Sequence, residues 1–276
     1  MSRIEKAFAD AKRNQRKLLI PYITAGDPDA GATVPLMHAL VRAGADVLEI
    51  GVPFSDPMAD GPVIQAACER ALASNVSLRQ ILGLVRDFRA RDSATPVVLM
   101  GYLNPIEALG FASFARAAAE AGVDGVLVVD LTPEESGELQ PLLRASGLDA
   151  IYLVAPTTTD TRMMEILKRA SGYLYYVSLK GVTGSDKLDI NAVAEKLSKL
   201  REATQLPLAV GFGIRDAESA GRVGKIADAV VVGSALVSII GRNGAALAAT
   251  ERELSQTLSG MREALDGGGS RRRLAP

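Results

Sequence analysis

One cysteine and one histidine, Cys68 and His38, are all that this 276-residue chain contains of either type. A lone cysteine excludes an intrachain disulfide framework and a thiolate metal cluster, and it fits a reduced compartment. With no second imidazole or thiolate to pair with His38, no metal site is expected. Charge of one sign is also missing: 31 Lys and Arg stand against 32 Asp and Glu, a formal net charge of −1. Only Arg271 to Arg273 gathers positive charge as a nucleic-acid or membrane patch would, so the expected substrate is a small molecule and neither nucleic acid nor membrane is an expected partner. Long apolar runs are absent as well. No segment approaches the roughly 20 apolar residues that span a bilayer, and Met1-Ser-Arg-Ile-Glu-Lys-Ala-Phe8 mixes charges where a secretory leader would be apolar. The expectation is a soluble, cytoplasmic protein.

What is present is apolar and periodic. Hydrophobic residues make up 48% of the chain, enough for a large core within the size range of a single α/β barrel. Eight short apolar runs recur, at 18–24, 47–51, 97–102, 125–130, 150–155, 173–178, 208–213 and 229–233. Each is followed by turn residues and a stretch with helical spacing, such as Phe111 to Gly122, whose closing glycine suits a left-handed cap. Strand–helix alternation of this kind predicts a closed parallel (β/α)8 TIM barrel. An extra N-terminal helix, about Ser2 to Asn14, and a C-terminal helix, about Ala246 to Leu265, are expected to plug or cover it. Residues 1–265 form one domain in this reading, and the basic tail 266–276 is too poor in apolar residues to fold.

The chemistry concentrates after the second run. In Leu48-Glu-Ile-Gly-Val-Pro-Phe-Ser-Asp-Pro-Met-Ala-Asp-Gly61, Glu49 sits two residues before the end of an apolar strand, where barrel enzymes place their working groups. Burial there raises a carboxyl pKa toward neutrality, as proton exchange requires. Asp60 is its candidate catalytic partner, with capping of the helix from Pro62 as the structural alternative. Asp56 lies between them and is open to the same alternatives, with a partner contact or loop bracing favoured over chemistry. After the last two strands, Gly211-Phe-Gly213 and Gly233-Ser234 resemble a phosphate cradle of backbone amides at a helix start. The loop Leu179 to Leu188 carries glycines on both sides of Val182-Thr183, as a lid would, and Thr183 is placed to bond Asp60 on closure. Tyr22, Tyr102 and Tyr175 each end a strand and could wall a flat substrate, although packing explains each of them equally well.

Taken together, the block from Leu48 to Gly61, with Gly181-Val-Thr-Gly184, Gly211-Phe-Gly-Ile214 and Gly233-Ser234 in order, resembles the tryptophan synthase alpha chain family across nearly the whole chain. The resemblance implies a lyase that splits indole-3-glycerol phosphate into indole and glyceraldehyde 3-phosphate. Glu49 would move the proton and Asp60 would hold the indole N–H. Tyr22, Tyr102, Tyr175 and Phe212 would surround the indole, while Gly184, Gly213, Gly233 and Ser234 would hold the phosphate. It further implies an α2β2 complex with a β chain carrying pyridoxal phosphate, no cofactor in this chain, and a partner surface made of Asp56, the loop 53–60 and the lid 181–187. The competing expectations are another phosphate-binding barrel, such as an isomerase or epimerase, and a non-catalytic regulatory subunit.

Overall fold

The computed structural model describes residues 1–177, 190–211 and 213–267. Eight parallel strands close in sequence order into a barrel: β1 (Leu18–Thr24), β2 (Leu48–Gly51), β3 (Val97–Gly101), β4 (Gly125–Val128), β5 (Asp149–Val154), β6 (Leu174–Val177), β7 (Leu208–Gly211) and β8 (Ala229–Val232). The helices are α1 (Arg3–Arg13), α2 (Ala30–Arg42), α3 (Pro62–Ala73), α4 (Leu78–Arg89), α5 (Leu103–Leu109), α6 (Phe111–Ala121), α7 (Leu139–Ala145), α8 (Asp160–Leu167), α9 (Ile190–Ala203), α10 (Ala217–Gly224), α11 (Ser234–Asn243) and α12 (Leu247–Leu265). The simple alternation expected from sequence is enlarged after β2 and β3, each of which is followed by two helices. No helix among the described residues is long and apolar enough to cross a membrane.

The strands are apolar on both faces because each face is covered, as parallel sheets require. Leu18, Ile20, Val47, Val98, Leu127, Ile151, Tyr173, Ala209, Ala229 and Val231 fill the interior. The alternate residues, including Leu19, Ile23, Leu48, Ile50 and Leu99, pack against the helical layer. Helix α1 opens with a Ser2–Glu5 capping box and adds Ile4, Phe8 and Ala11 to the interior cluster, so it plugs one end. Buried Asp124 fastens it there by accepting from Arg3, Arg89 and the Val97 amide at 2.7–2.8 Å. Helix α12 does not plug the barrel. It packs against α2, α10 and α11, covering the helical layer from outside.

Because α2 packs against α4 and α12, helix α3 takes the place beside β1 and α11. A third, smaller cluster fills that seam: Tyr22 from β1, Ile64, Ala67 and Cys68 from α3, and Val237 from α11. The seam matters for function, since α3 follows the acidic loop and α11 follows the last glycine pair.

Candidate active site

In β2, Leu48 and Ile50 belong to the helix-facing core and Val47 to the interior. The two-residue period of a strand therefore turns Glu49 inward. Register sets it beside Tyr22 in β1 and Val98 in β3. It is 1% exposed, and its Oε1 has no hydrogen-bond partner. Burial lifts its pKa to about 8, because an ionised carboxylate loses its hydration there without gaining a counter-charge. The nearby Tyr173 hydroxyl opposes that shift without reaching hydrogen-bonding geometry, and Tyr173 Oη is likewise left without a hydrogen-bond partner.

Asp60 stands on the loop that returns from β2. Its Oδ2 accepts from Tyr102 Oη at 2.9 Å, and the same oxygen of Tyr102 accepts from the Ala59 amide at 3.0 Å. Phe54 packs its ring 5.2 Å from that of Tyr102. Partial burial raises the Asp60 pKa, with the Tyr102 hydrogen bond pulling the other way. The capping alternative fails: Gly61 is the N-cap of α3, and no side chain caps that helix. The Asp60 carbonyl takes Gln65 Nε2 of α3 at 2.8 Å, but its carboxylate caps nothing and is aimed by Tyr102.

Two tyrosines lie over two strand-ending glycines. A Cβ on Gly51 would meet Tyr22 Oη at 2.1 Å, and one on Gly211 would meet Tyr175 Oη at 2.1 Å. Only glycine leaves room for the hydroxyl ends of these rings. Tyr22 also bonds Thr24 Oγ1 at 3.3 Å. Tyr175 lies within electrostatic reach of Glu49, Tyr22 and Asp60, so Tyr22, Tyr102 and Tyr175 share one mouth with both carboxylates.

The glycines after β7 and β8 differ from each other. Gly213 has φ +78 with open space where a side chain would stand. Gly233 is the N-cap of α11 and has φ −116, and no side chain caps that helix. Its carbonyl takes the Leu236 and Val237 amides, which leaves the start of the helix at Ser234 to an outside acceptor, where the helix dipole favours an anion. A Cβ at Gly233 would lie 3.7 Å from Tyr22 Cβ, so the cradle and the carboxylate strand meet at one ring.

Asp56 is exposed and accepts from Ser55 Oγ at 2.5 Å. Met58 beside it is 83% exposed. Cys68 is buried within the third cluster. His38 packs against Phe88 within the helical layer, with ring centroids 4.7 Å apart and the planes tilted by 37°. Thr183, Gly184, Phe212 and the expected lid 181–187 lie outside the described residues, as does the tail beyond 267. Sequence reading passed over Tyr173 and Thr24. Both were within reach of a period-two argument: Tyr173 shares a face with Tyr175, and Thr24 shares one with Tyr22.

Comparison with known proteins agrees with this geometry. The family model described as "Tryptophan synthase alpha chain" matches residues 8–266. The tryptophan synthase alpha chain of Thioalkalivibrio sulfidiphilus is 60% identical over 266 residues, covering 96% of this chain and 100% of that protein. Among solved structures, the alpha subunit from Legionella pneumophila superposes with a TM-score of 0.90 at 48% identity, covering 96% of this chain and 99% of that one. A chain from the tryptophan synthase α2β2 complex of Pyrococcus furiosus superposes with a TM-score of 0.81 at 39% identity, covering 89% and 98%. Likeness of this extent, running from the plugging helix to the end of α12, leaves a single assignment: the chain belongs to the tryptophan synthase alpha chain family.

Proposed function

We propose that this chain cleaves indole-3-glycerol phosphate to indole and glyceraldehyde 3-phosphate by a retro-aldol step in which Glu49 carries the proton and Asp60 holds the indole ring. The observation that carries this reading is Glu49 itself, buried on the inner face of β2 with Oε1 unpartnered, where burial raises its pKa to about 8. Near neutral pH the buried carboxyl holds a proton, and a group poised close to the working pH both gives and takes one efficiently.

Protonation of indole C3 by Glu49 turns the ring into an indolenine-like cation, an electron sink at the carbon whose bond must break. Asp60, oriented by Tyr102, accepts from the ring N–H and offsets that charge. Glu49, now a carboxylate in an apolar site, takes the proton from the glycerol hydroxyl next to the bond. The O–H electrons form the aldehyde carbonyl, and the C–C electrons return to the ring, releasing indole. Tyr22, Tyr102 and Tyr175, with Phe212, wall the ring. The phosphate rests on amides at Gly184, Gly213, Gly233 and Ser234, and the Thr183 hydroxyl holds Asp60.

In the same reading a β chain, holding the pyridoxal phosphate that consumes indole, docks on the exposed loop with Asp56 and Met58. Three features support that surface: the membership of the Pyrococcus furiosus relative in an α2β2 complex, the 83% exposure of Met58, and an adjoining groove of about 380 Å3 lined by residues that include Phe54, Pro105 and Leu109. A soluble cytoplasmic setting fits this role. The test is indole release from indole-3-glycerol phosphate by the chain alone and with an added β chain. Release that a β chain accelerates is the expected result, and no release under either condition overturns the assignment.

A further inference from the structure

Asp27 lies three residues beyond the end of β1 and is 1% exposed. Its carboxylate is gripped by both arms of Arg70 in α3, Nε to Oδ1 at 2.7 Å and Nη2 to Oδ2 at 2.8 Å. The guanidinium lies across Gly241 of α11, where a Cβ would come within 2.8 Å of Nη2 and 3.1 Å of Cζ. One side chain therefore touches the loop after β1, the helix that follows Asp60, and the helix that follows Gly233. Next to it the same helices share the cluster of Ile64, Ala67, Cys68 and Val237 with Tyr22.

We infer that Arg70 is a positioning residue that sets the distance between the carboxylate half of the site and the phosphate half. The inference rests on the functional reading above. Its substrate is a single molecule with the indole at one end and the phosphate at the other, so both halves must be correct at once. Asp60 immediately precedes Gly61, the N-cap of α3, and the cradle is the N-terminus of α11. A slide of one helix along the other moves one anchor relative to the other without disturbing either. A misplacement of about 1 Å can cost on the order of 10²-fold in rate. The apolar seam by itself resists separation more than sliding, since hydrophobic contact is non-directional. A bidentate guanidinium–carboxylate pair has a fixed direction, and Gly241 lets the planar group lie flat against α11.

Arg70→Lys tests this, because lysine keeps the charge opposite Asp27 and loses the planar fork. Gly241→Ala is the second variant: alanine favours the helix and crowds the guanidinium from the other side. Calorimetry would compare two ligands, inorganic phosphate and an indole joined to a phosphate by a three-carbon chain, alongside indole release and the melting temperature. For both variants, still folded at the assay temperature, we expect the linked ligand to bind at least tenfold more weakly, kcat/KM to fall at least tenfold, and phosphate affinity to stay within about twofold. Unchanged binding of the linked ligand would make Arg70 purely structural. Phosphate affinity falling in parallel would make it a support of the cradle alone, and either result overturns the inference. A wild-type chain that binds the linked ligand but releases no indole would refute the functional reading and leave the binding comparison intact.

Discussion

Replacing Glu49 with glutamine removes a proton carrier and a buried acid together, so activity and stability should move in opposite directions. In the unfolded chain Glu49 ionises near pH 4.5, whereas in the folded chain it ionises at about 8. The folded-state value is raised, so the cost to stability is absent below the unfolded pKa. It grows as pH rises between the two values and levels off above the folded one. At about 1.4 kcal/mol per pH unit, it reaches about 1 kcal/mol near pH 5, about 3 near pH 7 and about 4 to 5 above pH 8.5. Glutamine has nearly the same shape and never ionises, so Glu49→Gln should be more stable than wild type by those amounts. Indole release should be lost while binding of a substrate analogue stays within a few-fold, since only proton transfer is removed. Urea unfolding of both proteins at several values between pH 5 and pH 9 measures the stability difference. A difference that stays flat across that range, within about 1 kcal/mol, would refute a buried Glu49 with a raised pKa, and turnover within tenfold of wild type would refute its role as the proton carrier.

Asp60→Asn should lower kcat by orders of magnitude, because an amide carries no charge to offset the indolenine cation. Tyr102→Phe, which removes the 2.9 Å bond that aims Asp60, should cost less, on the order of tenfold; steady-state kinetics giving the Asp60→Asn variant near-wild-type rates would reject the electrostatic role. Gly233→Ala should keep the fold, since φ is negative and the nearest atom to its new methyl is an ordinary 3.7 Å away, although ψ −83 lies outside the main allowed regions and costs the variant some stability. It should nevertheless raise KM strongly by occupying the approach of the phosphate, and an unchanged KM would move the phosphate elsewhere. Gly213 is the poorer test, because its φ of +78 would strain an alanine with or without ligand.

The barrel was legible in the sequence because its cause is local and repeated: eight apolar runs, each bounded by turn residues, in a chain able to cover both faces of every strand. The burial of Glu49 was legible too, from its place in an apolar run, but a barrel strand is apolar on both faces, so its inward turn was decided by the fold, which sends Leu48 and Ile50 to the helical layer. That the Asp60 carboxylate bonds Tyr102 and does not cap α3 was not legible. Capping and catalysis ask for the same Asp-Gly-Pro pattern, and only the fold brings Tyr102, 42 residues away in sequence, to within hydrogen-bonding distance of its carboxylate. The functions of the glycines divided in the same way. Gly213 and Gly233 read as backbone positions open to an anion, whereas Gly51 and Gly211 are glycine because rings from neighbouring strands lie over them, a fact of packing that no single segment encodes. The two added helices were expected to plug or cover the barrel, and the structure divides those roles, α1 plugging one end and α12 covering the helical layer: an amphipathic pattern specifies that a face will be buried, and the tertiary structure decides against what. The seam where Arg70 joins Asp27 across Gly241 lies at the far end of that scale. Its three residues are scattered over 214 positions of the chain, and they meet because α2 is drawn outward to α4 and α12, leaving α3 against α11.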